Sequence, residues 1–99
     1  MIGKYLAAAL ALAAAAAHAQ ESPAARSLAA SCASCHGTDG RSVTAEVVSL
    51  AGLPKEHIVA QMKAFRDGTR PATVMHQLAK GYSEAQIELL ADYFARRPR

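Results

Sequence analysis

Apolar and polar positions alternate in three distinct ways along this chain. Leu6 to Ala17 is an unbroken apolar run with no period at all. The second pattern is helical. Ala24 to Ala33 is a stretch of strong helix formers with Pro23 tolerable ahead of its first turn, and Leu28 and Cys32 share one face at a spacing of four. Pro54 opens a second helix that runs through Asp67 and stops at Gly68. Ile58, Met62 and Phe65 recur there at i, i+4 and i+7, while Lys55, Glu56, Lys63 and Arg66 face outward. Ser83-Glu84-Ala85-Gln86 has the form of a capping box, and Ile87, Leu90, Ala91 and Phe94 make a clean stripe behind it. The third pattern is aperiodic. Arg41 to Leu53 reads as a loop anchored by Val47, Val48, Leu50 and Leu53, and Thr69 to Lys80 reads as a loop leading into a short helix closed by Gly81, with Val74, Met75 and Leu78 inward. No strand or repeat is predicted, so the expectation is an all-α domain of three to four helices.

The apolar run changes how much chain is left to fold. Lys4 precedes it and Ala17-His18-Ala19 follows it, which is the layout of a secretory signal peptide over residues 1–19 with an A-x-A cleavage site. Twelve apolar residues fall well short of the ~20 that span a bilayer. The expected mature domain is residues 20–99, exported to the periplasm, with no membrane span after signal removal. Without Lys4 that domain has 10 Lys+Arg against 8 Asp+Glu, a balance too mild to argue for nucleic acid or a membrane surface.

Chemistry enters at Cys32-Ala33-Ser34-Cys35-His36. Two thiols three positions apart, followed at once by a histidine, form the C-x-x-C-H signature of c-type haem attachment. Cys32 and Cys35 are the expected thioether positions, and His36 the expected proximal ligand of the iron. A thioredoxin-like dithiol needs a βαβ setting that the pattern lacks, and zinc needs four ligands where the chain has two cysteines and scattered histidines. A local disulfide is the remaining reading. Gly37-Thr38-Asp39-Gly40 turns the chain away from this site. The turn lacks the Lys-Ser/Thr element of a phosphate loop.

One haem c per chain leaves a second axial position to fill. Met62, Met75, His57 and His76 are the candidates in the mature chain. Met62 sits mid-stripe, where methionine serves as core filler. His57 stands among charges in a first turn and reads as a surface residue. Met75 follows a loop that can approach the far face of the ring. His76 is its neighbour, and since successive helical residues point about 100° apart, only one of the two can face the iron. Met75 is the preferred ligand, with His76 kept as the alternative.

The same residues carry a resemblance. Cys32 to Gly40, Leu50-Ala51-Gly52, Gln61 with Phe65 and Gly68, and Leu90-Ala91-Asp92-Tyr93-Phe94 resemble the small bacterial class I cytochromes c. Ala72 to Ser83 is similar to the haem domain in the cytochrome subunit of flavocytochrome c sulfide dehydrogenase. The resemblance implies the class I cytochrome c fold wrapped around one covalently attached haem. It implies a first and last helix packed crosswise, with Ala24 and Leu28 meeting Leu90 and Tyr93, and it matches Met75 to the distal ligand. It also implies single-electron transfer from a flavin or quinol enzyme to another cytochrome or a terminal oxidase. Two departures stand out. Related domains carry a proline whose carbonyl accepts the proximal histidine's N–H, and Val48 stands at that position. Subunits of that dehydrogenase often hold two haem domains, and this chain has room for one.

Three functional classes follow: a free monohaem carrier, a haem-bearing subunit docked on a flavoprotein, or a gas- or peroxide-binding protein with an open iron site. The first two are electron-transfer proteins and not enzymes in themselves. Arg66, Arg70 and Arg96 to Arg99 are candidate docking charges, read first as solvated. Eighty residues carry an ordering cost on the order of 100 kcal/mol, and domains of this size commonly need a staple. A Cys32→Ala, Cys35→Ala double variant is therefore expected to lose its native-like helical circular dichroism; retention of that spectrum would contradict the staple.

Overall fold

Ser22 caps the first helix by accepting a hydrogen bond from the Ala25 amide at 3.0 Å, with Pro23 at the first helical position where no N–H is needed. The computed structural model describes residues 22–99 together with Tyr5. The expected signal peptide, Tyr5 apart, lies outside the described residues, as does the boundary after Ala19. Helix α1 covers Pro23–Ala30, α2 Ala33–His36, α3 Lys55–Asp67, α4 Met75–Ala79 and α5 Glu84–Ala95, with a 3-10 turn over Thr38–Gly40. Among the described residues there is no strand, as expected.

One expected helix is two. The stretch predicted as Ala24 to Ala33 breaks at Ser31 and Cys32. The Ser31 hydroxyl donates back to the Leu28 carbonyl at 3.0 Å, and the Cys32 amide bonds Ala29 three residues earlier rather than four. A serine that satisfies a helical carbonyl with its side chain competes with the helix's own ladder. The chain then restarts as α2, with Cys32 at its N-cap position.

The core is the crossing of α1 on α5, supported by α3. Ala25 and Ala29, both 4% exposed, belong to one cluster with Ile58, Leu90, Ala91, Tyr93 and Phe94, and Leu28, Cys32, Leu50, Leu53 and Met62 pack against its edge. Alanines at the crossing let the two helices approach closely. Burying Ile87, Leu90 and Phe94 contributes roughly 1.5–3 kcal/mol each. Ala24, expected at the crossing, is exposed. In an alanine-rich helix, hydropathy does not distinguish neighbouring faces, and the buried pair is offset by one residue. The full capping box is present on α5: Gln86 N–H donates to Ser83 Oγ at 3.1 Å, and Ser83 N–H to Gln86 Oε1 at 2.9 Å. Lys55 and Glu88 join α3 to α5 at 3.2 Å.

The terminal arginines, expected as a solvated tail, are exposed at Arg96 and Arg99 but also bond back to the fold. Arg97 donates from Nε to the Tyr93 carbonyl at 3.2 Å and lies 4.3 Å over the Tyr93 ring. Arg99 reaches the Gly52 carbonyl at 3.4 Å, Arg41 donates to the Pro98 carbonyl at 3.1 Å, and Arg96 pairs with Asp92 at 3.0 Å. Carbonyls that a loop and a helix end leave unpaired are what these guanidinium groups take up.

Gly40 is where the loop meets the last helix. It is buried with φ at +78°, and a Cβ there would lie 2.7 Å from Phe94 Cδ1 and 3.0 Å from the Ala51 amide nitrogen. Left-handed backbone and an overfilled contact act together in Gly40→Ala. That variant is expected to lose about 2 kcal/mol or more of stability, read as a lower urea midpoint; an unchanged midpoint would contradict the contact.

Candidate functional site

The C-x-x-C-H residues form a single helical turn. The His36 amide bonds the Cys32 carbonyl at 2.9 Å and the Cys35 amide bonds the same carbonyl at 3.3 Å. This geometry places positions 32 and 35 on one side of the turn. Both thiols are free, Cys32 half-buried against the core and Cys35 exposed. The disulfide reading is therefore not the one the structure adopts. Burial pushes the Cys32 thiol above its ordinary range, and the neighbouring Cys35 adds to the rise while a hydrogen bond from Ser31 opposes it.

His36 is oriented from the opposite side. Its Nδ1 lies 2.7 Å from the Val48 carbonyl oxygen. A carbonyl can only accept, so Nδ1 carries the proton and Nε2 is left with a free lone pair. The backbone of Val48 thus makes the bond for which related domains use a proline. Its side chain, expected as an apolar anchor, is 58% exposed instead.

The loop that delivers this carbonyl is pinned on both sides of it. Gly40's carbonyl accepts from the Leu50 and Ala51 amides at 2.7 and 3.1 Å, the Ser42 amide bonds Ser49 Oγ at 2.9 Å, and the Gly52 amide bonds the Phe94 carbonyl at 2.9 Å. The turn out of α2 depends on Gly37, whose φ is +84°; a Cβ there would meet the Arg41 carbonyl oxygen at 1.8 Å. Asp39 accepts from the Tyr93 hydroxyl at 3.1 Å, fixing the same turn to α5.

The candidates for a second ligand are distributed unequally. His57 is exposed in the first turn of α3, and Met62 packs against the core cluster beside Ile58. Met75 is the first residue of α4 and is partly buried. His76 follows it, with a buried Nδ1 that has no hydrogen-bond partner. Val74 and Leu78, expected inward, are 53% and 51% exposed; the residue α4 buries is Ala79. Helix α4 packs on α3, and at the end of the segment Tyr82 OH lies 3.2 Å from Ser31 Oγ, which brings the chain carrying Met75 beside the chain carrying Cys32.

This donor set fits a haem. Two free thiols on one turn, an imidazole whose second nitrogen is oriented by a carbonyl, and aliphatic side chains at Val48, Val74 and Leu78 left without a protein core to enter are what a covalently held apolar ring requires. Among the described residues no group of three or more His, Cys, Asp or Glu is arranged to hold a bare metal ion. The docking charges are largely committed within the chain. Arg66 pairs with Asp67 and Glu84, both at 3.5 Å, and Arg70 lies over the Phe65 ring at 4.7 Å while bonding Gln61. The roles of Ser22, Tyr82 and the Tyr93–Asp39 bond are not predicted by the sequence pattern. Only Ser22, directly before Pro23, had a local signal.

Comparison with known proteins gives a consistent result. The family model for cytochrome c matches residues 22–96. The chain is 45% identical over 67 residues to the cytochrome subunit of sulfide dehydrogenase from Chlorobaculum tepidum, covering 68% of this chain and 60% of that protein. It is 42% identical over 69 residues to the thiosulfate dehydrogenase electron acceptor of Thiomonas intermedia, covering 69% of this chain and 32% of that protein. Among solved structures, cytochrome c4 of Acidithiobacillus ferrooxidans superposes with a TM-score of 0.66 at 29% identity, over 78% of this chain and 51% of that one. The chain therefore spans less than two thirds of each of these three proteins.

The His36 ring N–H should be protected. In the reduced protein, its proton resonance is expected downfield and slow to exchange with solvent; rapid exchange would show that the Val48 carbonyl is not its partner.

Proposed function

The chain belongs to the cytochrome c family, and from that membership we propose that it works as an exported single-electron carrier with His36 and Met75 as axial ligands. A c-type haem supplies one one-electron couple and requires no bond to a substrate. The rest is done by the chain. Cys32 and Cys35 would hold the group covalently through their Sγ atoms, His36 would offer Nε2 to the iron, and Met75 would offer its thioether sulfur from the start of α4. The observation that carries this reading is the 2.7 Å contact from His36 Nδ1 to the Val48 carbonyl, which leaves only Nε2 free to coordinate.

Methionine is preferred over the neighbouring imidazole because it stands at the first position of α4, directly after the loop. A sulfur ligand raises the potential relative to a second imidazole. It also keeps the sixth position filled, which argues against gas binding or peroxide turnover. Residues 1–19 are read as the signal that sends the chain to the periplasm, where c-type attachment takes place.

The names of the relatives favour a second reading. One is a cytochrome subunit of sulfide dehydrogenase and another an electron acceptor of thiosulfate dehydrogenase. This chain serves either as a free shuttle or as the haem-bearing subunit of such a complex, taking electrons from a flavoprotein and passing them to a cytochrome or terminal oxidase. Stoichiometric co-purification with a flavin-containing partner selects the subunit; a soluble monomer selects the shuttle.

The test is spectroscopic. Exported protein is expected to gain the mass of one haem, to show a near-infrared sulfur-to-iron band when oxidised, and to be indifferent to carbon monoxide at neutral pH when reduced. Met75→Ala should keep the haem mass and abolish the band. A colourless chain, or a band that survives Met75→Ala, overturns the assignment.

A further inference from the structure

Residues 71–82 carry Met75 and are tied to the rest of the chain by very few directional contacts. Within the segment, the Gln77 and Leu78 amides bond the Val74 carbonyl, Gly81 bonds Leu78 and Tyr82 bonds Ala79. Among the described residues, the only hydrogen bond that leaves it is Tyr82 OH to Ser31 Oγ at 3.2 Å. Packing adds Ala79, fully buried, and the Tyr82 ring at the edge of the core. Apolar contacts of this kind resist separation, but they do not fix register as a hydrogen bond does.

The Ser31 hydroxyl also lies 3.0 Å from the Leu28 carbonyl. Either hydroxyl can donate in the Tyr82–Ser31 bond. Ser31 sits one residue before Cys32, at the break between α1 and α2. Two segments 51 residues apart in sequence are thus joined at this point. One carries the haem-attaching thiols, and the other carries Met75.

We infer that Tyr82 is a positioning residue for the distal side: through Ser31 it holds the segment bearing Met75 closed against the attachment turn and so governs how readily that side opens. The inference rests on Met75 being the distal ligand. An external ligand must wait for the segment to open, so its apparent affinity scales with the open fraction. Removing one hydrogen bond of ordinary net strength raises that fraction by about three- to tenfold.

The experiment uses the haem-loaded protein and imidazole as the external ligand, in the parent, Tyr82→Phe, Ser31→Ala and the double variant. Tyr82→Phe keeps the ring and its packing while removing only the hydroxyl. Imidazole should bind about three- to tenfold more tightly to each single variant, and the double variant should gain no more than either single one, because both remove the same bond. The attached haem mass should be unchanged throughout. A merely structural role would lower the thermal midpoint and leave imidazole affinity alone. Affinity in Tyr82→Phe within twofold of a parent that shows the sulfur-to-iron band overturns this inference alone, as do fully additive effects in the double variant. Absence of the band in the parent overturns the Met75 assignment and this inference together.

Discussion

A loop without regular structure can orient an imidazole only if the loop itself cannot move, and the bond from His36 to the Val48 carbonyl is the point on which the arrangement of this molecule turns. One atom must be placed to within a few tenths of an ångström by a segment with no ladder of its own. The chain solves this by holding the loop at its ends. Gly40 receives Leu50 and Ala51, and Phe94 receives Gly52. Val48 lies inside the first of these closures, between Gly40 and Leu50. Gly40 must be glycine for the loop to lie against Phe94, and Phe94 must be buried for its carbonyl to be where Gly52 needs it. Core and site are therefore the same set of contacts read from two sides.

The C-terminal arginines extend this arrangement. Exposed ion pairs contribute little to stability, but Arg41, Arg97 and Arg99 donate mainly to backbone carbonyls and lie close to the loop and α5. Their charge is incidental to that task. What they contribute is a set of donors long enough to reach acceptors that neither the loop nor the helix end satisfies internally.

How much of this was legible depends on the range of each interaction. The stripe Ile87, Leu90, Ala91, Phe94 and the capping box at Ser83 announce α5 because both are local patterns of side chains with strong contrast. Alanine gives no such contrast, so the buried face of α1 is Ala25 and Ala29 where Ala24 was expected. The break at Ser31 was hidden because a side chain bonding its own helix leaves no mark on hydropathy. At the site, Cys32, Cys35 and His36 are contiguous and stand out in the sequence. Val48 was read as an apolar anchor, yet it contributes a carbonyl, an atom every residue possesses. Tyr82 and Ser31 find each other across 51 positions, and no local pattern foretells that.

The pairing of the outermost helices has a bearing on the order in which the molecule matures. Helix α1 finds most of its buried partners in α5, so the core cannot close until α5 has been synthesised. The turn holding Cys32 and Cys35 needs only neighbouring amides and can form long before. Between those two moments Cys32 lacks the core against which it is half-buried in the finished fold, while Cys35 stays exposed even there.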